Sequence, residues 1–331
     1  MTTATEAPPS RTRGDLIDTI VRTPTLGPLF ALVVAVVVFS LTTDTFLDTG
    51  NLSLVLQQSV VVGVLALGQT LIILTAGIDL ANGAIMVFGT ILMAKWVVDG
   101  GHPVVALALG IVVCAVLGGI SGGLVTSLRL PPFIVTLGLL TVVFAVTRLY
   151  SASKSYPVTD DVLGLLGKGF LVGPTAFVTY GTIFMFVLYG LMWYALAKTG
   201  WGRHVYAVGN NPEAARLTGI KVGRVLFSVY VTAGVIYGLA AWEALGRIPN
   251  ADANAYQNAN LDSITAVVIG GTSLFGGRGS VVGTLIGTLI VAVLRSGLTQ
   301  AGIDSLYQDV ATGILVIVAV AVDQLARRRQ R

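Results

Sequence analysis

The sequence predicts an all-α polytopic membrane protein with about ten membrane-spanning helices. Of its 331 residues, 54% are hydrophobic and only 11% are charged, whereas soluble domains carry about 25% charged residues. The charges are also unevenly spaced, because none occurs in the intervals 49–78, 100–128 and 169–197. A helix that spans a bilayer needs about 20 apolar residues. Each of these intervals is long enough to supply at least one such helix.

The charge-poor stretches predict a single transmembrane domain over residues 25–325. Residues 1–24 are polar and predict a cytoplasmic leader, and residues 326–331 predict a basic cytoplasmic tail. The first apolar stretch is too long for a cleavable signal peptide, so we expect it to remain as the first span. The ten predicted helices are the segments 25–43, 54–76, 80–98, 103–127, 132–150, 176–197, 225–245, 261–275, 279–298 and 306–325.

The distribution of Lys and Arg predicts how these helices are oriented. With the N-terminus in the cytoplasm, the cytoplasmic sections hold 14 of the 20 basic residues, as the positive-inside rule requires. We therefore expect both termini on the cytoplasmic side of the membrane, and the net charge of +4 needs no nucleic-acid partner. The 14 residues are Arg11, Arg13, Arg22, Arg129, Lys198, Arg203, Arg216, Lys221, Arg224, Arg278, Arg327, Arg328, Arg329 and Arg331.

Two of the predicted segments are short, because only 15 uncharged residues lie between Asp79 and Lys95 and between Asp262 and Arg278. Each is adjoined or interrupted by glycine-rich sequence, "LTAGIDLANGA" (74–84) in the first case and "VIGGTSLFGGRGS" (268–280) in the second. Short, glycine-interrupted segments in the two halves of a membrane protein indicate a transport pathway. Glycines that only permit close helix packing are the alternative. We expect Asp79 to be structural, accepting hydrogen bonds from backbone amides freed at the first break. The candidate pathway or hinge residues are Gly77, Asp79, Asn82, Gly83, Gly270, Gly271, Gly276 and Gly277.

The sequence shows no catalytic or metal-binding constellation, and it predicts no cofactor. His102 and His204 lack the spacing of metal ligands, and the single cysteine, Cys114, excludes a thiolate cluster. Lys168 is not part of a phosphate-binding loop, so we expect any ATP to be bound by a partner. The predicted spans also lack a chain of ionisable residues of the kind that proton-coupled transporters use. Residues 151–175 predict a short structured external cap, which is either a solvated surface loop or a docking surface.

A polar stretch, "AVGNNPEAARLTGIKVGR" (207–224), lies between two apolar spans within the predicted cytoplasmic loop 198–224. Asn211 followed by Pro212 is a typical helix start. Glu213 suits the first turn, and Gly219 predicts the end after about two turns. Such a helix is either a solvated connector or a contact for another protein. The candidate contact residues are Asn210, Asn211, Pro212, Glu213, Ala214, Ala215, Arg216, Leu217 and Gly219.

Four ordered motifs resemble the ribose/xylose-type permeases of ABC sugar importers, and the resemblance runs from about residue 28 to the end of the chain. "GRHVYAVGNNPEAARLTGIKVGRV" (202–225) is similar to the cytoplasmic loop of that family. "LTAGIDLANGA" resembles its Gly-Ile-Asp-Leu-Ser-Val-Gly motif, with Ala81-Asn82 in place of Ser-Val. "LPPFIVTLGLLTV" (130–142) and "LDSITAVVIGGTSLFGGRGSVVGTLIGTLI" (261–290) resemble two further family segments.

This resemblance implies a type II ABC importer-like permease fold and a set of partners. These are a second permease copy (the same chain or a close homologue), a cytoplasmic ATPase, and an extracytoplasmic sugar-binding protein. It also implies that the short helix near residue 212 is the coupling helix seated in the ATPase, with Ala214 and Ala215 allowing close approach and Arg216 pairing with an acidic group. A stand-alone secondary transporter and a branched-chain amino-acid-type ABC permease stay open as alternatives. A channel is disfavoured because no filter-like repeat is present.

Overall fold

The computed structural model describes residues 25–328. The predicted leader (1–24) and residues 329–331 of the predicted basic tail lie outside the described residues. The described part contains one short 3-10 helix (Leu165–Gly167) and twelve α-helices: α1 (Leu26–Thr42), α2 (Thr49–Leu74), α3 (Asn82–Val98), α4 (Pro103–Ser127), α5 (Pro132–Ser151), α6 (Tyr180–Lys198), α7 (Gly200–Asn210), α8 (Pro212–Leu217), α9 (Val222–Arg247), α10 (Ala259–Ile269), α11 (Val281–Gln300) and α12 (Ser305–Arg328).

Each of the ten predicted segments corresponds to one of these helices. Within the described residues, six helices (α2, α4, α5, α6, α9 and α11) are long and apolar enough to cross a membrane. Shorter apolar helices are α1, α3, α10 and the part of α12 from Ser305 to Val318. The class of a helical polytopic membrane protein is therefore confirmed, while the number of ten spans stays a prediction.

The centre of the fold is formed by α2 and α9, whose inner stretches are almost fully buried. Helix α4 packs along α9 through glycines that let the two backbones touch. A methyl group at Gly118 would lie 2.4 Å from the Tyr230 carbonyl oxygen, and one at Gly234 would lie 2.5 Å from the Cys114 carbonyl oxygen. Small residues permit such close approach between helices in a membrane. This contact holds α9 against the rest of the bundle.

The all-α expectation is incomplete, because four short strands occur beside the bundle. In the segment between α5 and α6 (residues 152–179, here called the cap), β2 (Gly169–Val172) and β3 (Ala176–Thr179) form an antiparallel hairpin. Strand β1 (Tyr156–Pro157) pairs with β4 (Asn250–Ala251), which follows α9. These strands have two to four residues, and the alternation of apolar and polar residues that predicts a strand is recognisable only over about four to eight residues.

Two carboxylates accept hydrogen bonds in and beside the cap, and one of them, Asp252, joins the cap to the loop after α9. Asp252 accepts hydrogen bonds from the Ser155 hydroxyl and from the Asn254 amide, each at 2.7 Å. These donors stabilise the ionised form, so the pKa of Asp252 lies below its usual value. The pKa of Asp161 is also lowered, because the Lys168 ammonium donates a hydrogen bond to it at 2.6 Å. The cap and the loop after α9 are thus tied together on one side of the bundle.

Helix α10 ends at Ile269, which is earlier than the end of the predicted segment 261–275. Gly271 adopts a left-handed conformation (φ 85°), and its amide donates to the Val268 carbonyl. The Thr272 amide donates to the Val267 carbonyl. This pair of bonds is a Schellman motif, which terminates a helix at a residue with positive φ. Residues 270–280 therefore form a loop between α10 and α11 and do not continue the helix.

Candidate functional site

The two glycine-interrupted segments meet inside the bundle at the first turns of α3 and α10. The Asn82 side-chain amide donates a hydrogen bond to the Ser263 hydroxyl at 2.7 Å. The Asn260 amide donates to the Leu80 carbonyl oxygen at 3.2 Å. Asn82 and Ser263 are fully buried, and a methyl group at Gly83 would lie 3.3 Å from the Asn260 nitrogen. Asn82 and Gly83 thus join the N-terminal and C-terminal halves of the chain.

Asp79 is fully buried in the break between α2 and α3. One carboxylate oxygen accepts a hydrogen bond from the Ala81 amide at 2.8 Å, and the other accepts one from the Tyr237 hydroxyl at 3.0 Å. Tyr237 lies on α9, so this carboxylate links the break to the central helix. A group that is satisfied on both oxygens in this way has the contacts expected of a structural residue.

The break after α2 uses the same geometry as the end of α10. The Ala76 amide donates to the Ile73 carbonyl, and the Gly77 amide donates to the Ile72 carbonyl. The residue with positive φ is Ala76 (φ 60°) and not a glycine. Sequence reasoning assigned the break to Gly77, which comes one position later, because glycine is the usual residue in this conformation. A methyl group at Gly77 would lie 2.9 Å from the Ile72 side chain.

Three separate parts of the chain touch through backbone at a point we call the glycine junction (Leu74, Ala76, Gly209, Gly276 and Gly277). The Gly277 amide donates to the Leu74 carbonyl at 2.9 Å. A methyl group at Gly276 would lie 2.7 Å from both the Ala76 nitrogen and the Gly209 oxygen. At Gly209 it would lie 1.8 Å from the Leu74 oxygen. The end of α2, the end of α7 and the loop after α10 therefore meet without intervening side chains.

The remaining two glycines differ in their surroundings. A methyl group at Gly270 would lie 2.3 Å from the Gly283 oxygen on α11, so Gly270 serves close packing between α10 and α11. Gly271 is needed for its left-handed conformation. A bulky residue at Gly271 would strain the backbone, so a substitution there would disturb the fold as well as any role in transport.

The predicted short helix near residue 212 is α8. The Asn211 side chain caps it by accepting a hydrogen bond from the Ala214 amide at 3.0 Å, and Pro212 is its first residue. Gly219 follows its end with φ 86°. Helix α8 has six residues, somewhat fewer than the two turns expected. The preceding residues form α7, which the sequence prediction missed, although Thr199 offers the N-cap signal by accepting a hydrogen bond from the Gly202 amide at 3.2 Å.

The exposed face of α8 differs in one respect from the expectation. Ala215 was expected to face a partner, but it is only 4% exposed and packs within this chain. Ala214 is exposed, and Leu217 is 85% exposed. Arg216 forms an ion pair with Glu213 at 3.1 Å, with both side chains more than 70% exposed, and such a surface pair contributes little to stability. Leu217 is therefore the apolar side chain that α8 presents outward.

These features define a class of protein. A bundle of apolar helices, two internal helix breaks that meet, and a capped polar helix between two spans are typical of a transport permease. Among the described residues, no group of three or more His, Cys, Asp or Glu side chains could hold a metal ion. The chain belongs to the family described as "branched-chain amino acid transport system / permease component", whose model matches residues 51–320.

Named relatives are similar along most of the chain. The chain is 45% identical over 312 residues to the fructose import permease protein FrcC of Rhizobium meliloti, covering 92% of this chain and 86% of that protein. It is 40% identical over 301 residues to the ribose import permease protein RbsC of Bacillus subtilis (90% and 92% covered). It is 34% identical over 315 residues to the galactose/methyl galactoside import permease protein MglC of Escherichia coli (91% and 93% covered). No solved structure matches the chain.

Proposed function

We propose that this chain is the permease subunit of an ATP-driven monosaccharide importer. The observation that carries the proposal is the similarity, over about nine tenths of the chain, to permeases named for the import of fructose, ribose and galactose. The family description mentions branched-chain amino acids, but these relatives are named for sugars, which favours a monosaccharide. The subunit itself is not an enzyme, and a separate ATPase supplies the energy.

The proposed topology has ten spans with both termini in the cytoplasm of a bacterial cell. Ten apolar helices are present in the described residues, including those shorter than a full span. Two sets of contacts support this arrangement. The pairing of β1 with β4 brings residues 156–157 and 250–251 together, and both belong to predicted external loops. The glycine junction brings the ends of α2 and α7 together with the loop after α10, and all three are predicted to lie toward the cytoplasm.

In this proposal α8 is the coupling helix that docks on the ATPase. Its N-terminus follows Asn210, and a methyl group at Gly277 would lie 2.7 Å from the Asn210 Cα. A shift of α8 on ATP binding would therefore press directly on the loop after α10 and, through the Gly277–Leu74 hydrogen bond, on the break after α2. Gly276 and Gly277 act as backbone contacts in this relay, and Asp79 and Asn82 hold the break in shape.

The remaining partners follow from the same proposal. A second copy of this permease or a close homologue completes the membrane core. An extracytoplasmic sugar-binding protein docks on the cap side and delivers the substrate. The membrane lipid covers the apolar outer faces, such as that of α5, where Leu149 is 81% exposed.

Transport by the reconstituted system tests the proposal. The permease is purified with an ATPase and a sugar-binding protein that assemble with it and placed in vesicles containing ATP. Uptake of fructose, ribose or galactose that requires ATP and persists with an ionophore supports the proposal. Uptake that an ionophore abolishes while ATP is present would instead identify a secondary transporter. Uptake of leucine but of no sugar would favour the amino-acid alternative.

A further inference from the structure

A large cavity lined by both polar and apolar residues lies on the cap side of the bundle, away from the glycine junction. Its volume is about 640 Å³, which falls in the range of small-molecule sites, about 300–1,000 Å³. Six parts of the chain line it: α2, the end of α9, the loop after α9, α10, α11 and α12. We call it the cap-side cavity. Its polar lining includes Gln58, Tyr256, Asp262, Arg295 and Asp309.

A connected set of charged and amide groups crosses this cavity from its buried wall toward its mouth. The Arg295 guanidinium contacts Asp262 at 2.8 Å and Asp309 at 3.6 Å. The Asn258 amide donates a hydrogen bond to Asp309 at 3.3 Å. The Asp262 side chain is 6% exposed, whereas that of Asp309 is 46% exposed. These contacts hold the groups in place before any ligand enters, which reduces the ordering cost of binding.

Two buried polar atoms in the cavity lining have no hydrogen-bond partner in the described part of the chain, the Tyr256 hydroxyl and the Arg295 Nε. A buried donor without a partner is unfavourable. Tyr256 is also held in the left-handed conformation, with φ 55°. Aromatic residues rarely adopt this conformation, and such strain occurs preferentially at ligand sites. The two unpartnered atoms are accounted for if a polar ligand completes the site.

We propose that the cap-side cavity is a transit site for a monosaccharide on its way through the permease. This inference rests on the proposed function. Each sugar hydroxyl can donate and accept a hydrogen bond, so the ligand can donate to Asp262 or Asp309 and accept from Tyr256 or Arg295. Apolar side chains on α2 and α11 also line the cavity and offer packing contacts for the C–H face of a sugar ring; these are Val61, Val62, Val291 and Ala292.

The site is built for weak binding. Arg295 and the two carboxylates already satisfy one another, so a sugar must compete with protein contacts for them. A translocation site has to release its substrate as well as admit it, and weak binding serves that purpose. The Tyr256 hydroxyl and Gln58 then contribute to discrimination between sugars, because a site built around specific hydroxyls rejects analogues that lack them.

The substitution Tyr256→Phe tests the proposal with little disturbance of the fold. It removes only the hydroxyl, which has no partner within the described chain. In the reconstituted importer we expect about 5–10-fold slower uptake of the best substrate among fructose, ribose and galactose, since one hydrogen bond is worth about that factor. We also expect a changed ratio of uptake between this sugar and its epimers. A merely structural role would not alter that ratio. Binding-protein-stimulated ATPase activity measures assembly.

The matched control is Tyr194→Phe. Tyr194 is 60% exposed on α6 and outside the cavity, so its loss of a hydroxyl should leave uptake and selectivity unchanged. If the Tyr256→Phe variant does not assemble, the substitution Gln58→Leu on α2 replaces it. The uptake rate and the ratio of uptake between sugars are then measured in the same way. Normal rates and unchanged selectivity in an assembled variant would overturn the transit site. If the wild-type importer transported no sugar, the proposed function itself would fail.

Discussion

Helix α8 provides the sharpest test of coupling, through the exposed Leu217. The side chain is 85% exposed, so nearly all of it is available for burial in a groove of the ATPase. Burying a leucine side chain contributes about 1.5–3 kcal/mol, and Leu217→Ala removes most of that. We therefore expect the affinity for the ATPase to fall by about 1.5–2 kcal/mol, which is about 10–30-fold in Kd. The measurement is binding of purified ATPase to permease in nanodiscs.

The permease alone should be unaffected by this change, because Leu217 is barely in contact with its own chain. Its thermal unfolding temperature in detergent serves as the first control. The second control is Leu171→Ala, since Leu171 is 64% exposed on β2 in the cap, on the side predicted to face away from the ATPase. Equal ATPase affinity for Leu217→Ala and the wild type would show that α8 is only a connector. Ala215 is unsuitable for this test because it is buried within the permease.

Three further predictions concern the break and the topology. Ala76→Gly should stabilise the permease by about 1 kcal/mol, because glycine adopts the left-handed conformation without strain; a lower unfolding temperature in detergent would contradict this. Asp79→Leu should destabilise more than Asp79→Asn, since leucine leaves the buried Tyr237 hydroxyl unpaired at a cost of about 1–3 kcal/mol, and equal, severe loss in both would indicate that the charge matters. In a Cys114→Ser background, a cysteine at Thr199 should react with impermeant reagent only after the cells are opened, and labelling of intact cells would reverse the orientation.

Most of the helical framework could be predicted from the sequence, because insertion of a segment into lipid depends on its local composition. The start of α8 could be predicted for a similar reason. The cap by Asn211 and the position of Pro212 involve only neighbouring residues. The end of α10 was less predictable, since "GGTSLF" is apolar enough to continue a helix. The left-handed Gly271 and the two bonds of the Schellman motif decided it.

The composition and motifs of the sequence by themselves determined the class of protein, the positions of the ten apolar helices, and the polar start of α8. Only the tertiary structure placed Gly276 and Gly277 against Leu74 and Gly209, turned Ala215 inward, and put the left-handed residue at Ala76. It also brought Tyr256 and Arg295 to the same cavity. The reason is physical: composition and capping act over a few residues, whereas these contacts join segments far apart in the chain and depend on how the helices pack.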